Sequence, residues 1–169
     1  MENPYQGPKS DVVDVNRDEE YQSVRIFSVS GRIGRVRFIA YTFGLSFLCS
    51  MLAVMLAAAL GGLGGFVLLV NWVAIIALSL MLTIQRAHDF NASGWLGLLG
   101  LIPLVNLIFW FIPGTDGPNR FGHQTPPNTW GTVVAACVIP IIFVIGIVAA
   151  VAIPAYQDYA KRAATQKVR

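Results

Sequence analysis

The sequence predicts an all-α, polytopic helical membrane protein with four transmembrane helices, the third open to a re-entrant path, and a disordered N-terminal tail. Three observations predict it. Residues 38–85 run without one charged side chain, and residues 90–115 and 121–157 do the same. Only 12% of the chain is charged, against about a quarter in a soluble domain. The cations, finally, gather at the ends of the apolar runs, where charge is cheapest to keep.

Residues 1–24 are polar and acidic, with Pro4, Gly7 and Pro8. They have too little apolar surface to offset ordering, so disorder is expected. Residues 23–37 alternate loosely between apolar and polar and read as a short strand-like or interfacial lead-in. Crossing a hydrocarbon core needs about 20 apolar residues. Residues 38–60 and 66–84 each supply nearly that, joined by the glycine-rich turn at 61–65. The alanines at 57–59 loosely imitate a signal cleavage site, but the apolar run is too long and starts too late for a signal, so no cleavage is expected.

Ser93 suits the N-cap of a third helix over 95–112. That helix is barely long enough to cross and is softened by Gly97, Gly100 and Pro103, which is why a re-entrant path stays open. Pro126, Pro127 and Asn128 form the next loop, and the fourth span covers 131–153, with Pro140 inside and Pro154 at its end. Three units follow: a cytoplasmic tail at 1–24, a three-span membrane domain at 25–122, and a fourth span with a basic cytoplasmic tail at 131–169.

With four crossings and the N-terminus inside, eleven of the twelve cations lie in the cytoplasm and Arg120 alone lies outside. Trp95 and Tyr156 then mark the inner interface, Trp110 and Trp130 the outer. Ala53 with Ala57, and Gly146 with Ala150, are small pairs that let helices approach. Asn71 and Asn106 fall at membrane depth and should find partners on other helices. Cys49 and Cys137 lie in apolar stretches and read as small hydrophobes.

Three polar clusters carry the chemistry. In GRIGRVRF at 31–38, Arg32, Arg35 and Arg37 sit at headgroup level, where guanidinium forks suit phosphate. In RAHD at 86–89, Arg86 can pair with Asp89 across one turn, and Asp89 can equally pair with Arg32 or Arg35. His88 is the group there able to exchange a proton near neutral pH, but no nucleophile and no second histidine stands beside it. In PGTDGPNRFG at 113–122, which includes Gly114 and Asn119, the composition specifies tight turns. It lacks the lysine and preceding strand of a phosphate loop. No catalytic, cofactor or metal residues are assigned, and the chain is not expected to be an enzyme. Arg32, Arg35, Arg37, Arg86, His88, Asp89, Gly114 and Asn119 are candidate interaction residues.

These clusters, in this order, resemble the bacterial inner-membrane family labelled domain of unknown function 805, over about residues 27–122. Gln85 departs from the second arginine usual there. The resemblance implies a small integral protein of the bacterial inner membrane and no known activity. Residues 146–159, GIVAAVAIPAYQDY, are similar to the N-terminal helix of type IV pilins. Thr132 and Cys137 stand where a pilin has its cleavage-site glycine and buried glutamate, so processing and ordinary pilus assembly are not implied. A pilin helix also leaves the cytoplasm N-terminus first, the reverse of the four-crossing map.

The expected role is a non-catalytic interaction, assembly or lipid-organising protein. Its partners would be anionic headgroups, a membrane protein such as a pilin or pilus machinery, or a second copy, and no nucleic acid. The alternative is a small transporter or channel subunit using Asn71, Asn106 and the Pro103 kink. Against it, no ionisable residue lies within any predicted span.

Overall fold

The computed structural model describes residues 21–167. The tail expected to be disordered lies outside the described residues up to residue 20, but its last four residues are held. The Gln22 backbone N–H donates to the Gln124 carbonyl at 2.9 Å, and its side chain donates to the Arg32 carbonyl at 3.3 Å. The lead-in is irregular rather than a strand, with one isolated bridge between Tyr21 and Gln124.

Helix α1 covers Arg35–Leu60 and α2 covers Gly64–Asp89, each of 26 residues. A 3-10 turn, Gly61–Leu63, joins them. Gly64 makes the hairpin tight: a Cβ there would stand 2.6 Å from the Ala57 carbonyl oxygen, closer than side chains are found. At 1.5 Å per residue each helix is about 39 Å long, enough to cross a bilayer core of about 30 Å. Among the described residues, Arg35–Asp89 and Trp130–Ala163 are the two helical stretches long and apolar enough to cross, and the first contains both α1 and α2.

A straight third helix does not form. Residues Gly94–Leu101 are a 3-10 helix, and α3 covers only Pro103–Phe111. Ser93 precedes the 3-10 helix without a side-chain cap bond. The 3-10 helix lies against α2, with Gly97 beside Ile84 and Gly100 beside Thr83. The chain then turns back. Arg86 donates to the Phe109 carbonyl at 2.9 Å, and the Thr115 N–H donates to the Asp89 carbonyl at 2.8 Å. The segment therefore starts and finishes at the Asp89 end of α2.

Helix α4 covers Trp130–Lys167 and runs through both Pro140 and Pro154, past the stop expected at residue 153. Each proline removes one ladder bond, and the residues beyond Pro154 still extend the helix. α4 starts beside the start of α1. Arg37 donates to the Pro126 and Pro127 carbonyls at 2.7 and 2.9 Å, Gly44 faces Ile139, and Phe43 packs edge-on to Phe143 with ring centroids 5.7 Å apart. α1 and α4 thus run the same way, and α2 runs back.

The buried apolar cluster of Ile33, Phe38, Leu78, Leu82, Ala87 and Phe109 sits at the end where α1 begins and α2 finishes. Most apolar side chains along the rest of α1, α2 and α4 are exposed, the pattern of helices that face lipid rather than one another.

Candidate functional site

The site is built on the C-terminus of α2. A helix end leaves its last carbonyls without partners and carries the negative end of the macrodipole. Here Asp89 adds a full negative charge. Everything around it supplies donors or cations.

The backbone closes the helix with a Schellman motif. Asn91 takes φ 60°, its N–H donates to the His88 carbonyl at 3.0 Å, and the Ala92 N–H donates to Ala87 at 2.9 Å. The loop after α3 completes the cap. The Thr115 hydroxyl donates to the Asp89 carbonyl at 3.0 Å. The Asn119 amide donates to the His88 carbonyl at 2.8 Å and to the Thr115 hydroxyl at 2.9 Å, while its carbonyl accepts from the Phe121 N–H at 2.9 Å. Gly114 lies against the Asp89 carboxylate with no room for a Cβ.

Two guanidinium groups grip Asp89 from opposite segments. Arg32 is 3.2 Å from one carboxylate oxygen, and Arg86 bonds the other. Both arginines are essentially inaccessible to solvent and Asp89 is 6% exposed. Their remaining N–H groups go to backbone carbonyls. Arg32 donates to Gly117 at 2.7 Å, Thr115 at 2.6 Å and Gly122 at 3.2 Å. Arg86 donates to Phe109 and Ile112, the last turn of α3. One carboxylate therefore joins the lead-in, α2, the returning segment and the loop. Such a charge is tolerable in a low-dielectric site because both carboxylate oxygens and every guanidinium nitrogen of Arg32 and Arg86 have a partner.

His88 stands at the edge of this lock. Its Nδ1–H donates to the Gly31 carbonyl at 3.1 Å, and its ring stacks on Phe121 at 3.8 Å. It ties the loop to the lead-in. Among the described residues no group of three His, Cys, Asp or Glu side chains is placed to hold a metal.

The eight candidate residues are thus gathered at one end of the molecule, in two kinds of position. Arg32, Arg37, Arg86, His88 and Asp89 are buried. The phosphate-facing role expected for Arg32 and Arg37 gives way to carbonyl bonding inside the protein. Of the two partners open to Asp89 besides Arg86, Arg32 takes the place and Arg35 does not; Arg35 is exposed. Gly114 and Asn119 shape the loop. Arg120, assigned by the cation count to the far side, donates to the Asn91 carbonyl at 2.9 Å, beside the lock. Asn106 contradicts its expected pairing: its side-chain oxygen is buried without a hydrogen-bond partner.

Sequence reasoning missed Gln85, Thr115 and Phe121. Gln85 is buried and its amide donates to the Arg25 and Ser28 carbonyls, pinning the lead-in. The available signal was a lone amide at the end of an apolar run, which must find acceptors if it is buried.

Compared with known families, residues 26–123 match the family described as Protein of unknown function (DUF805). The chain belongs to this family. The match begins at the lead-in and ends just past the loop, so the DUF805 region contains every residue of the lock, and α4 lies beyond it. No match to the chain was found among curated proteins or among solved structures.

Proposed function

We propose that this DUF805 protein is a non-catalytic, lipid-organising and partner-docking protein of the bacterial inner membrane, with its cap at the cytoplasmic face. The observation that carries the reading is charge. Among the described residues Arg25, Arg35 and Arg120 are exposed at the cap against one exposed anion, Asp116, while Arg32, Arg37 and Arg86 are buried on protein partners. Anionic headgroups lie at that level and attract each nearby cation by about 1 kcal/mol. Catalysis has little support: the ionisable groups of the lock are committed to protein partners.

The same reading takes three crossings, α1, α2 and α4, in place of four. Residues 94–111 enter and leave from the cap face, so the loop at 113–124 stays cytoplasmic and α4 carries the C-terminus across. Cations still favour the cap side, eight (Lys9 and Arg17 included) against Lys161, Arg162, Lys167 and Arg169. Trp95 and Trp130, both more than 80% exposed, mark the cap-side interface. Tyr156 lies 26 residues beyond Trp130, about 39 Å along α4, close to the thickness of a bilayer with its headgroups. In this direction α4 leaves the cytoplasm N-terminus first, as a pilin helix does, and a pilin or pilus component is the partner that likeness favours. Crosslinking from Val151 in pilus-bearing cells tests that version; products with no pilus component reject it.

Spin-labelled phosphatidylglycerol and phosphatidylcholine, compared around the full chain in mixed bilayers, test the headgroup role. Enrichment of the anionic lipid is expected, reduced when Arg25 and Arg120 are both changed to Gln. Equal partition of the two lipids rejects it. A reporter after Arg169 tests the crossings and should lie outside the cytoplasm.

A further inference from the structure

The lock holds more positive charge than its carboxylate neutralises. Arg32 and Arg86 share Asp89, which leaves one net cation inside the protein. Against it, between the lead-in and the end of α2, lies a small polar pocket of about 280 Å³. Arg32 and Gln85 form its buried wall, and Gln22, Ser23, Arg25 and Ser30 line it from the lead-in. Arg25 is exposed, and its guanidinium has neither a hydrogen bond nor an ion pair among the described residues. Among those residues no aspartate or glutamate lines the pocket. Two positive charges therefore face this space, and its lining holds no counter-charge.

The unused hydrogen-bonding groups narrow the kind of anion that fits. Gly31, also in the lining, takes φ 90°, and the Gly31 and Arg32 backbone N–H groups donate to no described residue. Successive free N–H groups in a turn of this kind form a concavity for anions. The same pocket offers acceptors. The Gln85 amide nitrogen donates to the Arg25 and Ser28 carbonyls, and the Gln22 amide nitrogen donates to the Arg32 carbonyl. Neither carboxamide oxygen accepts from a described residue. For Gln85, 1% exposed, an acceptor without a donor is costly. A ligand with a phosphoryl group and hydroxyls a few bonds away answers both sets of groups. Size gives the upper limit. The pocket falls just below the range of about 300–1,000 Å³ typical of sites for drug-sized ligands, so it suits a phosphate on a short polyol rather than a nucleotide.

We propose that the pocket between the lead-in and Gln85 binds a polyol phosphate of the glycerol phosphate class. Its phosphoryl oxygens accept from Arg25 and from the Gly31 and Arg32 N–H groups, and its hydroxyls donate to the Gln22 and Gln85 carboxamide oxygens. The Arg32 guanidinium contributes charge alone, because its nitrogens are already bonded. A phosphatidylglycerol headgroup and a soluble glycerol phosphate offer the same chemistry. The headgroup source rests on the cap lying at the membrane surface, and it turns the diffuse attraction of the cap into one defined seat.

Calorimetric titration of sn-glycerol 3-phosphate into the full chain, held in phosphatidylcholine nanodiscs at physiological salt, tests it. Saturable binding of one ester per chain is expected. Arg25→Gln should weaken it about tenfold, the effect of one charge-assisted hydrogen bond. Ser23→Glu sets an anion in the lining and should abolish it. Both positions are exposed, so both variants should fold. Arg35→Gln removes the same charge from the cap outside the pocket, and screening should leave the affinity nearly unchanged. Inorganic phosphate, which lacks the polyol, should bind more weakly. Absence of saturable binding overturns the proposal. So does an equal loss from Arg35→Gln and Arg25→Gln, or an equal affinity for inorganic phosphate. Repeating the titration in nanodiscs that contain phosphatidylglycerol identifies the source. The apparent affinity for the free ester falls if the headgroup occupies the pocket and is unchanged if the ligand is soluble. The spin-label comparison keeps the two readings apart. Enrichment of phosphatidylglycerol without ester binding removes the pocket alone, and ester binding without enrichment removes the headgroup role and leaves the pocket with a soluble ligand.

Discussion

The cap and α4 are held in place by different physics. At the cap, buried charges and amides bond across four chain segments, and Arg32, Arg86 and Gln85 are at most 1% exposed. Along α4 no residue is buried in the membrane-length stretch Trp130–Ala163, and its tertiary packing is against α1. The contrast follows from the solvent. In lipid, apolar contact between helices gains little over contact with acyl chains, so association rests on close packing and polar bonds. The directional bonds are concentrated in the cap, and there the chain fixes one arrangement. The helix without them is free to share its surface with lipid or with another protein.

The largest break in that contrast should come from Asp89. Asp89→Ala leaves Arg32 and Arg86 buried without their counter-ion, and removing one partner of a buried ion pair costs about 3–5 kcal/mol. Thermal or detergent unfolding of the purified chain should register that loss. A change below about 1 kcal/mol would mean that water reaches the lock and that the cap is an ordinary surface. Gly114→Ala probes the same place more gently. The added methyl must displace the Asp89 carboxylate or the loop, an overpacking penalty of about 1–3 kcal/mol. Gly117→Ala is not the matched control, because Gly117 has φ 67°; Asp116→Ala, on the exposed part of the loop, should leave stability nearly unchanged.

How far this was legible in the sequence divides along the same line. The hairpin of α1 and α2 could be read because a run of apolar residues and a glycine turn are local signals. The Arg86–Asp89 pair could be read from its spacing. The third segment was legible only as two open paths, a crossing or a re-entrant turn, with Gly97, Gly100 and Pro103 as the sign of the second. Eighteen apolar residues satisfy the length of a crossing, but their path is decided by Arg86 holding the Phe109 and Ile112 carbonyls, a bond across more than twenty residues. Arg120 failed for a related reason. Counting cations treats each as an independent transfer cost, whereas this one sits where the loop's bonds to the end of α2 put it. The buried use of Arg32 and Arg37 was hidden too, since an arginine bonding backbone carbonyls and one awaiting phosphate have the same sequence.

His88 offers an intermediate test. His88→Ala removes the stack on Phe121 and the bond to the Gly31 carbonyl, and the two together are worth about 1–2 kcal/mol. His88→Phe restores the stack alone and should recover about half of the loss. If both variants match the parent in unfolding, the contact between lead-in and loop is incidental, and the lock reduces to its arginines.

The smallest effect should lie on α4. Ile145 is 62% exposed and Val148 is 60% exposed. In water such residues on a long apolar helix would demand cover, and truncating one would reveal what covered it. In a bilayer the acyl chains replace whatever the side chain lost, so Ile145→Ala and Val148→Ala should each stay within about 0.5 kcal/mol of the parent, as exposed substitutions usually do. The comparison becomes sharp when the face of α1 on which α4 packs is altered instead. Gly44→Leu places a bulky side chain where Gly44 now faces Ile139, and it should loosen α4 from α1 by about 1–3 kcal/mol. A loss above about 1 kcal/mol from Ile145→Ala alone would reverse the argument. It would mean that the face now read as lipid-exposed is covered by protein in the membrane, and that α4, rather than the cap, carries the docking surface.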